Sequence, residues 1–276
     1  MELNFLESLL FGLVSGLMDI LPVSAQAHKT MLVTMFGLDG EPVVLGFLTH
    51  LAISAALFLC CQKQFVRMSR QIKLARIPKN RRKRPVDMKI LLDYRMLQTM
   101  AIPVTVGFLC YGKTSSMNSL SWCALFMLIN AVILFMPQLM PSGNKDSRSM
   151  SRMESILMGV GGAAGIFPGI SSMGAMLSVA SVCGAERTYA LNLSLMMNMA
   201  INAFLAFHDI LRMTAGLGGL TFGALFGYLI SAVVAFGAVY AGVGFMRHLA
   251  ANRGYAVFAW YSLAMALPMF IIYLMV

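Results

Sequence analysis

Asp19, Ser24, His28 and Lys29 stand close together in the first apolar stretch of the chain, around the break Pro22-Val23-Ser24-Ala25-Gln26-Ala27-His28. A second break, Pro168-Gly169-Ile170-Ser171-Ser172-Met173-Gly174-Ala175, interrupts an apolar stretch in the other half. A carboxylate, a hydroxyl, an imidazole and an ammonium are the groups that move protons, attack electrophiles or hold anions. In lipid they are expensive unless they face a partner or a wet cavity. Broken helices survive in a bilayer only where the freed backbone groups are buried in protein or line such a cavity, so two breaks at corresponding places mark a substrate site.

Composition sets what must position these residues. With 59% hydrophobic and 12% charged residues and a mean hydropathy of +0.77, the solvent of this chain is mostly lipid. The 276 residues suit a single membrane domain, with a first half of about 1–137, a basic loop at about 63–95 and a second half of about 153–276. The opening segment from Phe5 to Phe36 lacks a basic leader and belongs to the mature fold. Five cysteines without paired spacing imply neither zinc nor a disulfide framework, and the 25 methionines read as adaptable packing.

The net charge of +10 is concentrated between Lys63 and Arg95. Aromatics are nearly absent there, so the run reads as a topology determinant that touches anionic lipid, with no nucleic acid as partner. Placing it in the cytoplasm makes Val43 to Cys61 run in, Leu97 to Tyr111 out and Leu120 to Met136 in. Lys145, Arg148 and Arg152 then fall inside. Ile156 to Val182 enters and leaves on that side, Ala190 to Phe207 runs out, and Phe222 to Phe245 runs in. Arg247, His248 and Arg253 then fall inside before Ala256 to Val276 runs out. The expected fold is an all-α polytopic membrane protein. It is an inverted repeat with two re-entrant broken-helix hairpins, about six transmembrane helices and both termini external.

The residues from Gly16 to His28 resemble the first signature of the undecaprenyl-pyrophosphate phosphatase (bacitracin-resistance) family, and Pro168 to Met176 resemble its second. His50-Leu51-Ala52, Ile102-Pro103, the stretch from Gly184 to Ser194 and Phe258-Ala259-Trp260-Tyr261 extend the likeness over nearly the whole chain. The resemblance implies a lipid pyrophosphate substrate, a role in carrier-lipid recycling for peptidoglycan and other envelope polymers, and the bacterial inner membrane. A homodimer is left open.

The family pattern uses two acidic residues, a serine and a histidine in the first motif and an arginine in the second. Here Ser15 replaces the first acid, Asp19 shortens the second, Ser24 and His28 remain, Ala25 replaces a second serine and Ser172 replaces the arginine. A serine cannot reproduce bidentate guanidinium contact with phosphate. The resemblance makes Asp19, Ser24 and His28 the catalytic candidates, with Asp19 orienting His28 as acid or base. Lys29, Gly169, Ser171, Ser172 and Gly174 are the substrate-binding candidates. Lys29 reads either as a phosphate-facing cation or as a lysine snorkelling to the interface. Mg2+ or Ca2+ is expected only if catalysis persists, with Asp19 as a weak ligand.

Of the remaining polar residues, His50 orients the site or bonds a neighbouring helix, and Asn192, Ser194, Asn198 and Asn202 read as interhelical glue. Asp209 and Arg212 read as interfacial and Glu41 as solvated. Three functions stay open: a binder or translocator of polyprenyl (pyro)phosphate with lost or weakened hydrolysis, an active phosphoanhydride phosphatase, and a non-catalytic assembly or regulatory subunit.

Overall fold

The computed structural model describes residues 3–141, 143–213, 221–252 and 255–275, apart from the side chains at 115, 116 and 252. Arg253 and Val276, which enter the expected topology, lie outside the described residues. The described residues form helices, with no strand among them and one isolated parallel bridge between Lys145 and Ala185.

Two hairpins share one local grammar. The first comprises α1 (Phe5–Ile20) and α2 (Ala25–Met35). A capping box opens α1: Asn4 Oδ1 accepts from the Glu7 amide at 2.9 Å and Glu7 returns a carboxylate to the Asn4 amide at 2.7 Å. Pro22 forces Leu21 into extended backbone, which ends the helix. Ser24 then caps α2 through its hydroxyl. The chain continues into α3 (Val43–Arg76), α4 (Met88–Leu109) and α5 (Leu120–Phe135). The second hairpin comprises α6 (Arg152–Ala163) and α7 (Ser172–Val182), and it repeats the pattern. Ser151 and Glu154 form the capping box, Pro168 lies in the break and Ser171 caps α7. α2 and α7 are each 11 residues long, about 16 Å, so each spans about half of a ~30 Å hydrocarbon core. Each is followed by a glycine of positive φ, Gly37 at 67° and Gly184 at 81°.

The remaining helices are α8 (Arg187–Met213), α9 (Phe222–Asn252) and α10 (Ala256–Met275). Their packing is paired as an inverted repeat requires: α1 lies on α9 as α6 lies on α4, α3 on α8, and α5 on α10. Glycines let the first two of these pairs approach closely. A methyl on Gly12 or Gly16 would strike the α9 carbonyls of Ser231 or Ala235, and one on Gly159 would strike the Met100 carbonyl of α4. The largest core, rich in Met100, Met158, Met173, Met176 and Met246, lies between these helices and behind the two breaks.

Among the described residues, α3, α5, α8, α9 and α10 are long and apolar enough to cross a membrane. α4, the sixth expected crossing, is 22 residues long but carries Lys89, Asp93 and Arg95 in its first two turns, so its apolar run is shorter. The expected basic loop is largely helical. α3 runs on for 34 residues to Arg76, about 51 Å, and displays Lys63, Arg67, Arg70 and Lys73 on a helix that outlasts the bilayer.

Candidate functional site

The tips of the two hairpins meet. Gly169 donates its amide to Ser24 Oγ at 3.0 Å, joining the second break to the cap of the first. Asn130 of α5, fully buried, ties them again: its amide nitrogen donates to the Pro22 carbonyl at 3.3 Å and to Ser262 Oγ at 3.0 Å, and its oxygen accepts from the Ser171 amide at 3.0 Å. A small cavity of about 60 Å³ opens beside this junction, enough for a few water molecules. Asp19, Ser24, Ala25, Gln26, Lys29, His50, Ser171, Ser172, Met173 and Asn198 face it.

The geometry of the first turns of α2 and α7 governs what the cavity can hold. Ala25 and Gln26 begin α2, Ser172 and Met173 begin α7, and all four border the cavity. The opening amides of a helix have no intrahelical acceptor and sit at the positive end of its dipole, so two such ends converging on one space favour an anion there. Lys29 adds an ammonium, buried at 3% exposure. That removes the snorkelling alternative. Its Nζ donates to Glu41 Oε1 at 3.0 Å and lies 3.3 Å from His50 Nε2. His50 Nδ1 in turn lies 2.8 Å from Asp209 Oδ2.

This Glu41–Lys29–His50–Asp209 line corrects two expectations, the solvated Glu41 and the interfacial Asp209, and bears out the reading of His50 as bonded to a neighbouring helix. Glu41 is Lys29's partner and only partly exposed, Asp209 is buried at 7%, and His50 bonds charged side chains on two other segments. Burial of each charge beside an opposite one or an imidazole is what lipid demands. The sequence signal was there, since His50 and Asp209 are ionisable residues within long apolar helices; their pairing across 159 positions was not.

Asp19 is held as well. Its Oδ2 accepts from Asn198 Nδ2 at 2.7 Å and Asn202 Nδ2 at 3.0 Å, so the asparagine face of α8 serves as interhelical glue aimed at a carboxylate. Asp19 therefore does not orient His28. The imidazole of His28 is instead fixed by the Ser24 carbonyl, 2.7 Å from Nδ1, and by the Tyr261 hydroxyl, 2.8 Å from Nε2, with the two rings stacked at 5.7 Å. A carbonyl only accepts, so Nδ1 carries the proton and Nε2 accepts from Tyr261. His28 is absent from the cavity lining, and both its nitrogens are engaged. Tyr261, on α10, belongs to the family-like stretch near the end of the chain, but no periodicity reveals its contact.

Ser24 keeps its place at the cavity with little reactivity to spare. A hydroxyl has two acceptor lone pairs, and Ser24 Oγ already accepts from the Ala27 amide at 3.3 Å and the Gly169 amide. The expected anion-holding amides of the second break are also committed: Gly169 to Ser24, Ser171 to Asn130, and Gly174 to Ser171 Oγ at 3.1 Å. Gly174 is packed on Pro22 and Leu134 away from the cavity lining. Of the binding candidates, Lys29, Ser171 and Ser172 face the cavity, while Gly169 and Gly174 hold the break in shape.

The donor set does not suit a divalent cation. Asp19 is the one carboxylate on the cavity wall, its Oδ2 is taken by two amide donors, and no group of three metal-ligating His, Cys, Asp or Glu occurs among the described residues.

The family model of bacitracin resistance protein BacA matches residues 8–268. An undecaprenyl-diphosphatase of Methanobrevibacter smithii is 26% identical over 268 residues, covering 94% of this chain and 94% of its own. Undecaprenyl-diphosphatase 1 of Shouchella clausii is 25% identical over 98% of this chain and 96% of its own, and an undecaprenyl-diphosphatase of Rubrobacter xylanophilus is 25% identical over 96% of each. With two facing broken hairpins and a family match over nearly its whole length, this multi-pass membrane chain belongs to the bacitracin resistance protein BacA family.

Proposed function

We propose that this protein binds the phosphate head of a polyprenyl phosphate or pyrophosphate carrier lipid, and holds or moves that lipid with little or no hydrolysis. The observation that carries this reading is the convergence of the α2 and α7 N-termini and Lys29 on one cavity. The names of the relatives supply the lipid class. Phosphoanhydride cleavage asks for developing charge to be stabilised and for an attacking group to be activated. Ser172 offers no guanidinium, Ser15 no carboxylate, Ser24 no unshared lone pair, and His28 no free nitrogen on the cavity. Binding needs none of these. In this reading the chain is one membrane domain in a cytoplasmic membrane, its two termini external, with the basic end of α3 inside against anionic lipid.

The second reading is an active undecaprenyl-diphosphate phosphatase, favoured by the relatives' names and by Asp19 and Ser24 lying on the same cavity wall. The two are separated by incubating purified protein with undecaprenyl pyrophosphate, with and without Mg2+ or Ca2+, while binding of undecaprenyl phosphate is measured in parallel. The expected result is binding without release of inorganic phosphate. Lys29→Met should weaken binding by about tenfold, equivalent to about 1.4 kcal/mol. Steady phosphate release lost in His28→Ala would overturn the binding reading.

A further inference from the structure

Formal charge around the cavity is unfavourable to the anion that its helix ends invite. Asp19 lies on the wall, Glu41 pairs with Lys29, and Asp209 pairs with His50, so three carboxylates face one ammonium. A phosphomonoester brings close to two more negative charges at neutral pH. Positive charge must come with it. We propose that this protein takes up one proton from water with each lipid phosphate it binds, and that His50 Nε2 is the atom that receives it. The inference rests on the lipid-phosphate binding proposed above.

The hydrogen-bond line shows how. Lys29 is a donor only, so His50 Nε2 accepts from it and Nδ1 carries the ring proton toward Asp209 Oδ2. When Lys29 Nζ turns to a phosphate in the cavity, Nε2 loses its donor. A proton bound there yields an imidazolium that still donates to Asp209 through Nδ1, and it reduces the carboxylate excess by one. The groups facing His50 and its partners come from every surrounding segment: Asp19 from α1, Lys29 from α2, Glu41 from the turn before α3, Tyr111 after α4, and His208 and Asp209 from α8.

A second cavity of about 210 Å³, bordered by Tyr111, Thr114, Asn118, His208 and Arg212, shares Tyr111 with the first. His208 Nδ1 lies 3.7 Å from Asp209 Oδ1, the carboxylate that holds His50. That gap is longer than a hydrogen bond, and Asp209 faces Nδ1, which already carries a proton, so the proton for Nε2 comes from water in the first cavity, which His50 borders. A site that loads a proton with its anion can couple lipid movement to a proton gradient.

The test is calorimetric titration of the purified protein with farnesyl phosphate in buffers of different ionisation enthalpy, whose slope counts protons. Titration of the probe's own phosphate is common to all variants and cancels in differences. Wild type should take up about one proton more per bound phosphate than His50→Gln, and Asp209→Asn should lower the count in the same direction, since it removes the carboxylate that stabilises the imidazolium. His248→Gln, on α9, should leave the count at the wild-type value. Binding with an unchanged count in both His50→Gln and Asp209→Asn would overturn the proposal and leave the binding function standing. Absence of binding by wild type, with its thermal transition intact, would overturn the binding function and this inference together.

Discussion

The two broken hairpins are alike in backbone and opposite in chemistry. Each opens on a capping box, breaks at a proline, restarts on a serine cap and returns as an 11-residue helix. The first carries Asp19, His28 and Lys29 at its break, whereas the second carries Ser171, Ser172 and Met173, with no ionisable side chain between Pro168 and Val182. The second hairpin therefore contributes shape and amide dipoles, and the first contributes charge. A repeat that has divided its labour in this way predicts that changes to the backbone of the second break damage folding, while loss of the charged side chains of the first damages binding.

The largest effect is expected at Gly169. Its φ of +123° is a conformation L side chains rarely adopt, and a Cβ there would lie 2.7 Å from the Cys123 carbonyl oxygen and 2.9 Å from the Met127 amide of α5. Gly169→Val should cost about 3 kcal/mol or more and collapse the yield of monodisperse protein in detergent. In the first break, Val23, buried but without such backbone demands, should tolerate Val23→Ala at a cost of about 1 kcal/mol. Equal thermal shifts for the two would break the proposed division.

Asn130 sharpens the comparison, because it serves both hairpins. Asn130→Leu keeps the volume but strands the Ser171 amide, the Pro22 carbonyl and one bond to Ser262, all buried. The expected destabilisation is about 2–4 kcal/mol, accompanied by weaker phosphate binding because the two helix ends lose their common anchor. Ser262→Ala, which removes one bond of the three, should cost about 1 kcal/mol and leave binding intact. Thermal melting and lipid binding measured on both variants decide the matter; a loss of stability with full binding would show that the helix ends hold their positions without α5.

The N-cap serines offer a finer contrast. Ser171 Oγ accepts from one amide, Gly174, whereas Ser24 Oγ accepts from Ala27 and from Gly169 across the interface. Ser171→Ala should cost about 1 kcal/mol and Ser24→Ala about 1 kcal/mol more. Melting curves that rank Ser171→Ala as the costlier change would remove Ser24 from the junction.

Much of this was legible in the chain. The breaks and the polar face of α8 follow from local rules that act within a turn or two, and they place the hairpins correctly. What escaped is set by distant partners. His28 reads as a cavity histidine until Tyr261, 233 positions away, claims its ring. Gly169, Ser171 and Gly174 read as free anion-binding amides until Ser24, Asn130 and Ser171 are seen to take them. Glu41 reads as solvated because it follows a turn, yet Lys29 draws it in at 3.0 Å. Side-chain direction at a helix break has no period, so a sequence pattern states which residues are near the site and not which of them face it.

The smallest effect concerns a charge in the connection between the two halves, outside the membrane-spanning segments. Asp146, in the connection before α6, accepts from the Arg148 amide at 3.0 Å and pairs with Lys89 of α4 at 3.1 Å. These contacts, the amide foremost, hold its carboxyl below the ordinary value of 3.8. A carboxyl depressed in the folded state adds stability above its unfolded value, and that contribution disappears as the pH falls through the folded value. The pair is solvent-exposed and screened, so the gain at neutral pH is slight. Melting wild type and Asp146→Asn from neutral pH into acid should give a small difference that shrinks as the pH drops below the ordinary carboxylate value, and that shrinks at neutral pH when salt is raised. A difference that persists in acid would assign Asp146 a structural part independent of its charge. The Lys29–Glu41 pair of the first hairpin, buried beside the cavity, should by contrast be insensitive to salt. The two pairs would then differ in where charge is placed: screened by water in the connection before α6, and kept from water beside the cavity, where it can act on an anion.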